Sequence, residues 1–155
     1  MQGSQKVISG LNSLLGYELA AMDQYFIHSQ MYLDWGLQKL FERIDHEFDD
    51  EKGHATKLIE RMLFLGGIPD MQTRTGLIIG DEVPNMLESD LRVEYEVAAK
   101  LKEVIAVCEL EHDYVTRDML LILLDDTEMD HAHWLEQQLG LIKRLGLPNY
   151  LQSQM

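Results

Sequence analysis

Two stretches of the sequence repeat a carboxylate that is followed three residues later by an imidazole. The first is Glu51 with His54, and the second is Glu128 with His131. Residues three apart lie on one face of an α-helix, so each pair directs an oxygen ligand and a nitrogen ligand the same way. One such pair is common on a solvated helix. Two pairs, each within a long helical pattern, predict a metal site.

Two further glutamates, Glu18 and Glu94, lie within apolar stripes that follow helical spacing. A buried carboxylate is costly unless it is ion-paired or bound to a metal. The four carboxylates would neutralise two Fe²⁺, and the mixture with imidazole suits iron or manganese. Asp90, one turn before Glu94, is a candidate for orienting a histidine ligand. Each residue alone is more often an ordinary ion-paired or core residue, so the prediction depends on their joint occurrence.

Hydrophobic periodicity predicts how these residues are positioned. The expected long helices cover residues of about 5–34, 38–65, 84–111 and 114–145, and the end, NYLQSQM, is expected to add one or two turns. Residues 66–82 lack a helical period and include a strand-like stretch at 77–79. At roughly 3.4 Å per residue, this connection can span the bundle and return the next helix in the same direction. The predicted class is all-α, with one domain over residues 1–155.

The composition predicts a cytoplasmic protein that binds neither membranes nor nucleic acid. No apolar run reaches the length of a bilayer span, and the first ten residues lack the apolar core of a signal peptide. The single cysteine, Cys108, fits a reducing compartment. The net charge of −14 is opposite to the basic stripe of a nucleic-acid surface. It permits cation handling, although an acidic surface most often serves solubility alone.

The sequence resembles the bacterioferritins over essentially its whole length. The segments that carry this resemblance are GYELAAMDQYF, HEFDDEKGHA, ERMLFLGGIP, DYVTRD, HWLEQQLGLI and NYLQSQM. The glutamate and Glu-x-x-His pattern is also that of ferritin-like di-iron proteins. The resemblance implies a ferritin-like four-helix bundle with a long crossover between the second and third helices and a short fifth helix. It further implies a hollow cage of 24 subunits.

The resemblance implies iron storage and detoxification. Members of the family act as ferroxidases: they oxidise Fe²⁺ with O₂ or H₂O₂ at a di-iron centre within each subunit and store ferric mineral in the cage. The implied di-iron ligands are Glu18, Glu51, His54, Glu94, Glu128 and His131. Tyr25 matches a tyrosine beside that centre, and His46 and Asp50 match an iron site on the inner surface. A solvated acidic face explains the last two residues equally well.

Lys52 departs from the family pattern. Bacterioferritins bind haem b at a two-fold interface, through methionines that directly follow the glutamate of the second helix, and this chain has Lys52 there. A protonated lysine does not ligate iron. Met31 is an alternative ligand, although a methionine on a helix face is more often core. The resemblance is therefore to the haem-poor branch, as a homo-oligomer or co-assembled with a haem-binding bacterioferritin subunit. A bacterioferritin-associated ferredoxin is a further implied partner.

A second departure concerns the length of the fourth helix. The stretch from Asp113 to Trp134 is one residue longer than in haem-binding members. An extra residue in a helix is often absorbed as a π-bulge near a functional site. We therefore expect a π-bulge near Asp126–Asp130.

Three other functions remain open at this point. A di-iron peroxidase of the rubrerythrin type usually carries a Cys-x-x-Cys iron domain, whereas this chain has one cysteine. A DNA-protecting mini-ferritin places its metal site between subunits, which the glutamate and histidine set on four helices opposes. The third alternative is a structural or partner subunit of a mixed cage, with weak activity. An intact ligand set argues against that alternative without proving turnover.

Overall fold

The computed structural model describes all residues from Met1 to Met155 and confirms the predicted all-α fold. The helices are α1 (Gln5–Asp34), α2 (Gln38–Phe64), α3 (Val83–Leu110), α4 (Tyr114–Asp125), α5 (His133–Leu145) and α6 (Leu147–Ser153). A π-helix over Asp126–Ala132 joins α4 to α5 without a break, which confirms the predicted π-bulge. The segment at 77–79 forms no strand. None of the helices combines the length and apolar character that a membrane span requires.

Local sequence determines where these helices begin and end. The Ser4 side chain accepts a hydrogen bond from the Lys6 backbone N–H at 3.2 Å and caps the start of α1. Gly36 ends the turn after α1 with φ of 76°, a conformation that glycine adopts without strain. The Glu82 N–H donates to Asn85 Oδ1 at 3.1 Å where α3 begins, and a proline occupies its first turn.

The apolar core is divided into two clusters, one toward each end of the bundle. One cluster contains Leu15, Leu58, Leu101 and Leu120, and the other contains Tyr32, Leu40, Leu87 and Leu135. The interval between them falls near Glu18, Glu51, Glu94 and His131, which are all buried. Each long helix therefore brings polar residues to the middle of the bundle, between two apolar layers.

The crossover between α2 and α3 follows α1 in the same direction. The Ile68 carbonyl accepts a hydrogen bond from Asn12 Nδ2 at 3.1 Å, near the start of α1. Further along, the Gly80 N–H donates to His28 Nε2 at 3.1 Å. The chain thus returns to the end of the bundle where α2 began, and α3 runs parallel to α2. This confirms the predicted long crossover.

Gly16 allows the crossover to approach α1 closely. A Cβ atom at this position would lie 2.9 Å from the backbone carbonyl oxygen of Thr73. Real Cβ atoms essentially never come so close to another heavy atom, and a backbone atom cannot rotate away as a side-chain end can. A residue without a side chain is therefore required in the middle of this helix.

Candidate metal centre

Five of the six predicted ligands meet between the two core clusters. Glu18, Glu51 and His54 form one group, and Glu51, Glu94 and His131 form a second. Within each group, one ligand atom of each residue lies within 4.8 Å of the others. The two imidazole rings stack at a centroid distance of 5.7 Å. Because Glu51 belongs to both groups, its carboxylate lies where it can bridge two cations.

The centre contains a concentration of buried polar atoms without hydrogen-bond partners. They are Glu18 Oε1 and Oε2, Glu51 Oε2, Glu94 Oε2, His54 Nδ1 and His131 Nδ1. Buried polar atoms are nearly always paired in folded proteins, so six unpaired donors and acceptors in one pocket need an explanation. Carboxylate oxygen and imidazole nitrogen together are ligands for iron and manganese. These residues therefore fit a pair of divalent cations.

Outer carboxylates fix the orientation of both imidazoles. His54 Nε2 lies 2.6 Å from Asp126 Oδ2, and His131 Nε2 lies 2.7 Å from Glu47 Oε2. An ionised carboxylate can only accept a hydrogen bond, so Nε2 is the protonated nitrogen in each ring. Each Nδ1 then faces the centre, at 3.3 Å from Glu51 Oε2 for His54 and 2.9 Å from Glu51 Oε1 for His131. This is the arrangement in which a carboxylate orients a metal-binding histidine.

Sequence reasoning missed both of these orienting residues. Glu47 is buried and also accepts a hydrogen bond from Arg43 Nε at 2.6 Å. The sequence could have indicated a role for Glu47 at the centre, because it lies one turn before Glu51 and therefore on the same face of α2. Asp126 offered no comparable signal, because its position beside His54 depends on how the π-helix is placed relative to α2.

Burial and mutual repulsion set the protonation of the carboxyl and imidazole groups at the centre. Burial raises the pKa of the Glu18 and Glu94 carboxyls, and the negative charge of Glu51 raises that of Glu18 further. Burial also opposes ionisation of Glu51, but its close contacts with Glu18, His131 and His54 hold its pKa below the usual value. Burial disfavours the charged form of His54, yet Glu18 and Glu51 outweigh this effect and raise its pKa to about 11. Cations that enter the centre must therefore displace protons.

Tyr25 lies beside the centre, as the resemblance to the bacterioferritins implied. Its side chain is buried, and its hydroxyl donates a hydrogen bond to Glu94 Oε1. Burial, together with the charge of Glu94, raises the pKa of Tyr25 well above its usual value. The residue therefore stays a neutral donor that holds one oxygen of Glu94.

Asp90 orients a histidine, but not one of the ligands. Its Oδ1 lies 2.8 Å from His28 Nδ1 and accepts a hydrogen bond from Gln24 Nε2 at 2.8 Å. His28 Nε2 accepts the Gly80 N–H of the crossover. This buried network fastens the crossover to α1 and α3 and does not contribute a ligand to the centre.

Glu128 lies apart from the other predicted ligands. Its Oε1 is 3.1 Å from Lys102 Nζ on the outside of the bundle, and 42% of its side chain is exposed. The i→i+5 hydrogen bonds of a π-helix bring residues four and five apart onto one face. Asp126 and Thr127, rather than Glu128, therefore lie on the same side as His131. The expectation that Glu128 and His131 share a face is wrong in this structure.

The expected inner-surface residues extend the acidic region outward from His131. His46 Nε2 lies 3.3 Å from Asp50 Oδ2, and the His46 side chain is 62% exposed. Asp50 Oδ2 in turn lies 3.2 Å from His131 Nε2. Together with Glu47 and Asp130, Asp50 and His131 form a third group of possible ligands. The ring of His131 thus separates the buried centre from this more exposed group.

Lys52, at the position of the family's haem ligand, is exposed on α2. Its neighbour Glu51 is buried at the centre, so the two side chains project from different faces of the helix.

Comparison with known proteins assigns the family. A family model described as a ferritin-like domain matches residues 8–145. A bacterial ferritin of Synechocystis sp. is 60% identical over 155 residues, which cover 100% of this chain and 99% of that protein. A bacterial ferritin of Pseudomonas aeruginosa is 56% identical over the full length of both chains. A bacterioferritin of Brucella melitensis is 40% identical over 150 residues, or 97% of this chain and 92% of that protein. The chain therefore belongs to the ferritin family, together with the bacterial ferritins and bacterioferritins.

Proposed function

We propose that this iron-storing member of the ferritin family is a ferroxidase, which oxidises Fe²⁺ to Fe³⁺ at its buried centre. The observation that supports this proposal is the convergence of three carboxylates and two imidazole Nδ1 atoms, with one carboxylate common to both groups. Six of their ligand atoms are buried and unpaired. The polar atoms of a solvated acidic patch would be exposed at the surface, whereas these atoms are buried.

Each group of residues would hold one Fe²⁺ as substrate. Glu18 and His54 would bind the first ion, Glu94 and His131 the second, and Glu51 would bridge them. Glu128 is the proposed sixth ligand, after movement from its present position. Each Fe²⁺ gives up one electron. Two such ions, with two protons, reduce O₂ to H₂O₂ or H₂O₂ to two molecules of water.

An acidic cavity at the surface of the subunit reaches His54, one of the proposed ligands. This cavity of about 400 Å³ is lined by four aspartates and one lysine beside His54: Asp49, Asp50, Asp125, Asp126 and Lys57. Carboxylates along a path attract cations and favour their movement between the surface and the centre. His46 and Asp50 would serve as an iron site at the outer end of this path, on the inner surface of the cage. Fe³⁺ would leave by this route to join the mineral.

The proposed assembly is a cytoplasmic cage of 24 subunits. It is either homomeric or co-assembled with a haem-binding bacterioferritin subunit, and a bacterioferritin-associated ferredoxin would supply electrons for iron release. Because Lys52 offers a protonated amine where the family has a thioether, haem b is not expected in the homomeric cage. The visible spectrum of the purified homomeric cage tests this expectation. A Soret band at stoichiometric intensity would contradict it.

Anaerobic titration with Fe²⁺, followed by exposure to O₂, tests the ferroxidase proposal. We expect two Fe²⁺ per chain to bind before mineral grows, and fast oxidation of both. His54→Ala should abolish fast oxidation while the cage still assembles. His133→Ala is the matched control, since His133 is exposed and lies outside all three ligand groups. Fast oxidation that survives His54→Ala would place the reaction elsewhere.

A structural or partner subunit with weak activity is the second candidate. The position of Glu128 favours it, because the carboxylate that would complete the centre is paired with Lys102 instead. The same titration separates the two candidates. One Fe²⁺ per chain or fewer, with slow oxidation, would support the structural role.

A further inference from the structure

Glu128 lies in a groove on the outside of the bundle. The groove has a volume of about 420 Å³, and it runs between α3 and the π-helix, with Tyr95, Lys102, Met129 and Glu136 among its lining residues. Within it, Glu128 Oε1 is held 3.1 Å from Lys102 Nζ. Both side chains are substantially exposed, at 42% for Glu128 and 63% for Lys102. Exposed ion pairs are weak, so this contact can be exchanged for a stronger one.

Thr127 occupies the inward position that Glu128 would need. The Thr127 side chain is fully buried, and its Oγ1 has no hydrogen-bond partner. Because this hydroxyl is unpaired, moving Thr127 away from the interior breaks no hydrogen bond of its side chain. The move would also relieve the cost of burying an unpaired hydroxyl. The π-helix holds one residue more than an α-helix of the same length, and shifting that extra residue along the chain rotates the intervening side chains. Such a shift would turn Glu128 toward His131.

The charge of the centre determines which position of Glu128 is favoured. Without metal, Glu18, Glu51 and Glu94 already face the imidazoles of His54 and His131 in one buried site, so a fourth carboxylate would be desolvated there with no cation to bind. Two divalent cations carry one positive charge more than these three carboxylates can neutralise. A further carboxylate is then attracted to the centre. Glu128 is therefore favoured on Lys102 when the centre is empty and on the metal when it is full.

We propose that Lys102 competes with the second metal ion for Glu128, and that the π-helix over Asp126–Ala132 is the element that moves Glu128 between them. Lys102 is thus a positioning residue that lowers the affinity of the centre for its second cation. This inference rests on the proposed function, because it assumes that the centre binds two divalent cations. It adds a residue outside the ligand set that controls how completely the centre fills.

Anaerobic titration with Co²⁺, monitored by its visible absorption, tests this proposal without oxidation. Lys102→Gln should tighten binding of the second Co²⁺ by about two- to five-fold, the range expected from loss of an exposed ion pair. Binding of the first Co²⁺ should not change. Lys100→Gln is the matched control: it removes the same charge two residues earlier, where Lys100 Nζ pairs with Glu103 Oε1 at 3.1 Å. Equal effects of the two variants would overturn the proposal.

A double-mutant cycle with Glu128→Gln provides the second measurement. Glu128→Gln should lower the affinity for the second Co²⁺. Lys102→Gln should then have no further effect on this affinity, because the two residues act through one contact. Additive effects of the two substitutions would show that Lys102 acts independently of Glu128. Failure of the wild-type chain to bind Co²⁺ at all would instead refute the proposed function. The two ideas therefore fail in distinguishable ways.

Discussion

Asp126 Oδ2 lies 2.6 Å from Nε2 of His54, on the side of the ring away from the metal centre. This contact fixes the imidazole so that Nδ1 points inward, and the negative charge of Asp126 makes the ring a stronger base and ligand. The two residues come from different helices, α2 and the π-helix, so the contact also holds those helices at a fixed distance. Through this contact Asp126 orients one of the proposed ligands without belonging to the ligand set.

Asp126→Asn should weaken metal binding at the His54 side of the centre. The amide oxygen of asparagine can still accept the hydrogen bond from Nε2, but it lacks the charge, so we expect the smaller end of the usual effect, about ten-fold. Anaerobic Co²⁺ titration measures the affinity directly. Asp125→Asn removes the same charge from the same cavity without a contact to either histidine, and it should have little effect. Equal losses of Co²⁺ affinity in both variants would mean that Asp126 acts only through the negative electrostatic potential of the cavity and not through its contact with His54.

Tyr25→Phe should weaken binding at the Glu94 side of the centre. The substitution removes the hydroxyl that donates a hydrogen bond to Glu94 Oε1. One such hydrogen bond contributes about 1 kcal/mol, so we expect roughly a five-fold loss of affinity. The Tyr25 hydrogen bond lowers the pKa of Glu94, which burial raises, so its loss lets protons compete better with metal. The defect should therefore be larger at pH 6 than at pH 8. Tyr17→Phe, on the same helix, is the control. Equal Co²⁺ affinities of the two variants would contradict the proposed role of the Tyr25 hydroxyl in holding Glu94.

The sequence predicted the helices and the buried acids because both are local properties of the chain. Hydrophobic periodicity located the four long helices, acids within apolar stripes located Glu18 and Glu94, and the Glu-x-x-His spacing located Glu51 with His54. The length of the connection over residues 66–82 was enough to predict the crossover and the parallel direction of α3. These features depend on the spacing of residues along the chain and on the distance that a connection can span, and both can be read from one sequence.

The expectation that Glu128 and His131 share a helix face was wrong because two inferences from the same segment conflict. The additional residue before Trp134 predicted a π-helix, whereas the pairing of Glu128 with His131 assumed α-helical spacing. The structure contains the π-helix, so residues three apart no longer share a face. Glu47 and Asp126 were missed for a different reason. Their roles arise from packing between helices, which spacing along one helix does not determine.

Filling the centre should release protons, because His54 is charged in the metal-free protein. Its pKa is raised from 6.5 to about 11, so at pH 7 it carries a proton that Nδ1 must lose before it can bind metal. We expect release of about one proton from His54 as the first cation binds, and tighter binding as the pH rises. Calorimetric titration with Co²⁺ in two buffers of different ionisation enthalpy measures the total number of protons released, which should be at least one. Binding without proton release would contradict the raised pKa.

The same shift predicts how the metal-free protein responds to alkali. Because folding raises the pKa of His54, the stabilisation is fully present below pH 6.5 and is lost as the pH rises through about 11. The thermal midpoint of the metal-free protein should therefore decrease as the pH is raised from 6.5 to about 11. His54→Ala should make this decrease less steep. The midpoint measured by scanning calorimetry at several pH values tests this. An unchanged slope in His54→Ala would assign the loss to other groups.

Gly16→Ala should destabilise the fold, although alanine is the better helix former. A glycine-to-alanine change inside a helix normally stabilises it by about 1 kcal/mol. At Gly16, however, the new Cβ would lie 2.9 Å from the Thr73 carbonyl oxygen, so the crossover must move away from α1. Overpacking of this kind typically costs about 1–3 kcal/mol, so we expect a net loss. Gly140→Ala is the control, since no atom lies within 4 Å of its Cβ position.

The two glycine variants should therefore shift the midpoint of guanidinium unfolding in opposite directions. Gly140→Ala should raise the midpoint through helix propensity alone, while Gly16→Ala should lower it and loosen the crossover. Hydrogen exchange at the Ile78 and Gly80 amides reports on the crossover separately, because these groups donate to Gln24 and His28 on α1. Faster exchange in Gly16→Ala alone would link the loss of stability to this contact. A rise in the midpoint for both variants would show that the crossover accommodates a methyl group, and that Gly16 is not required for its close approach.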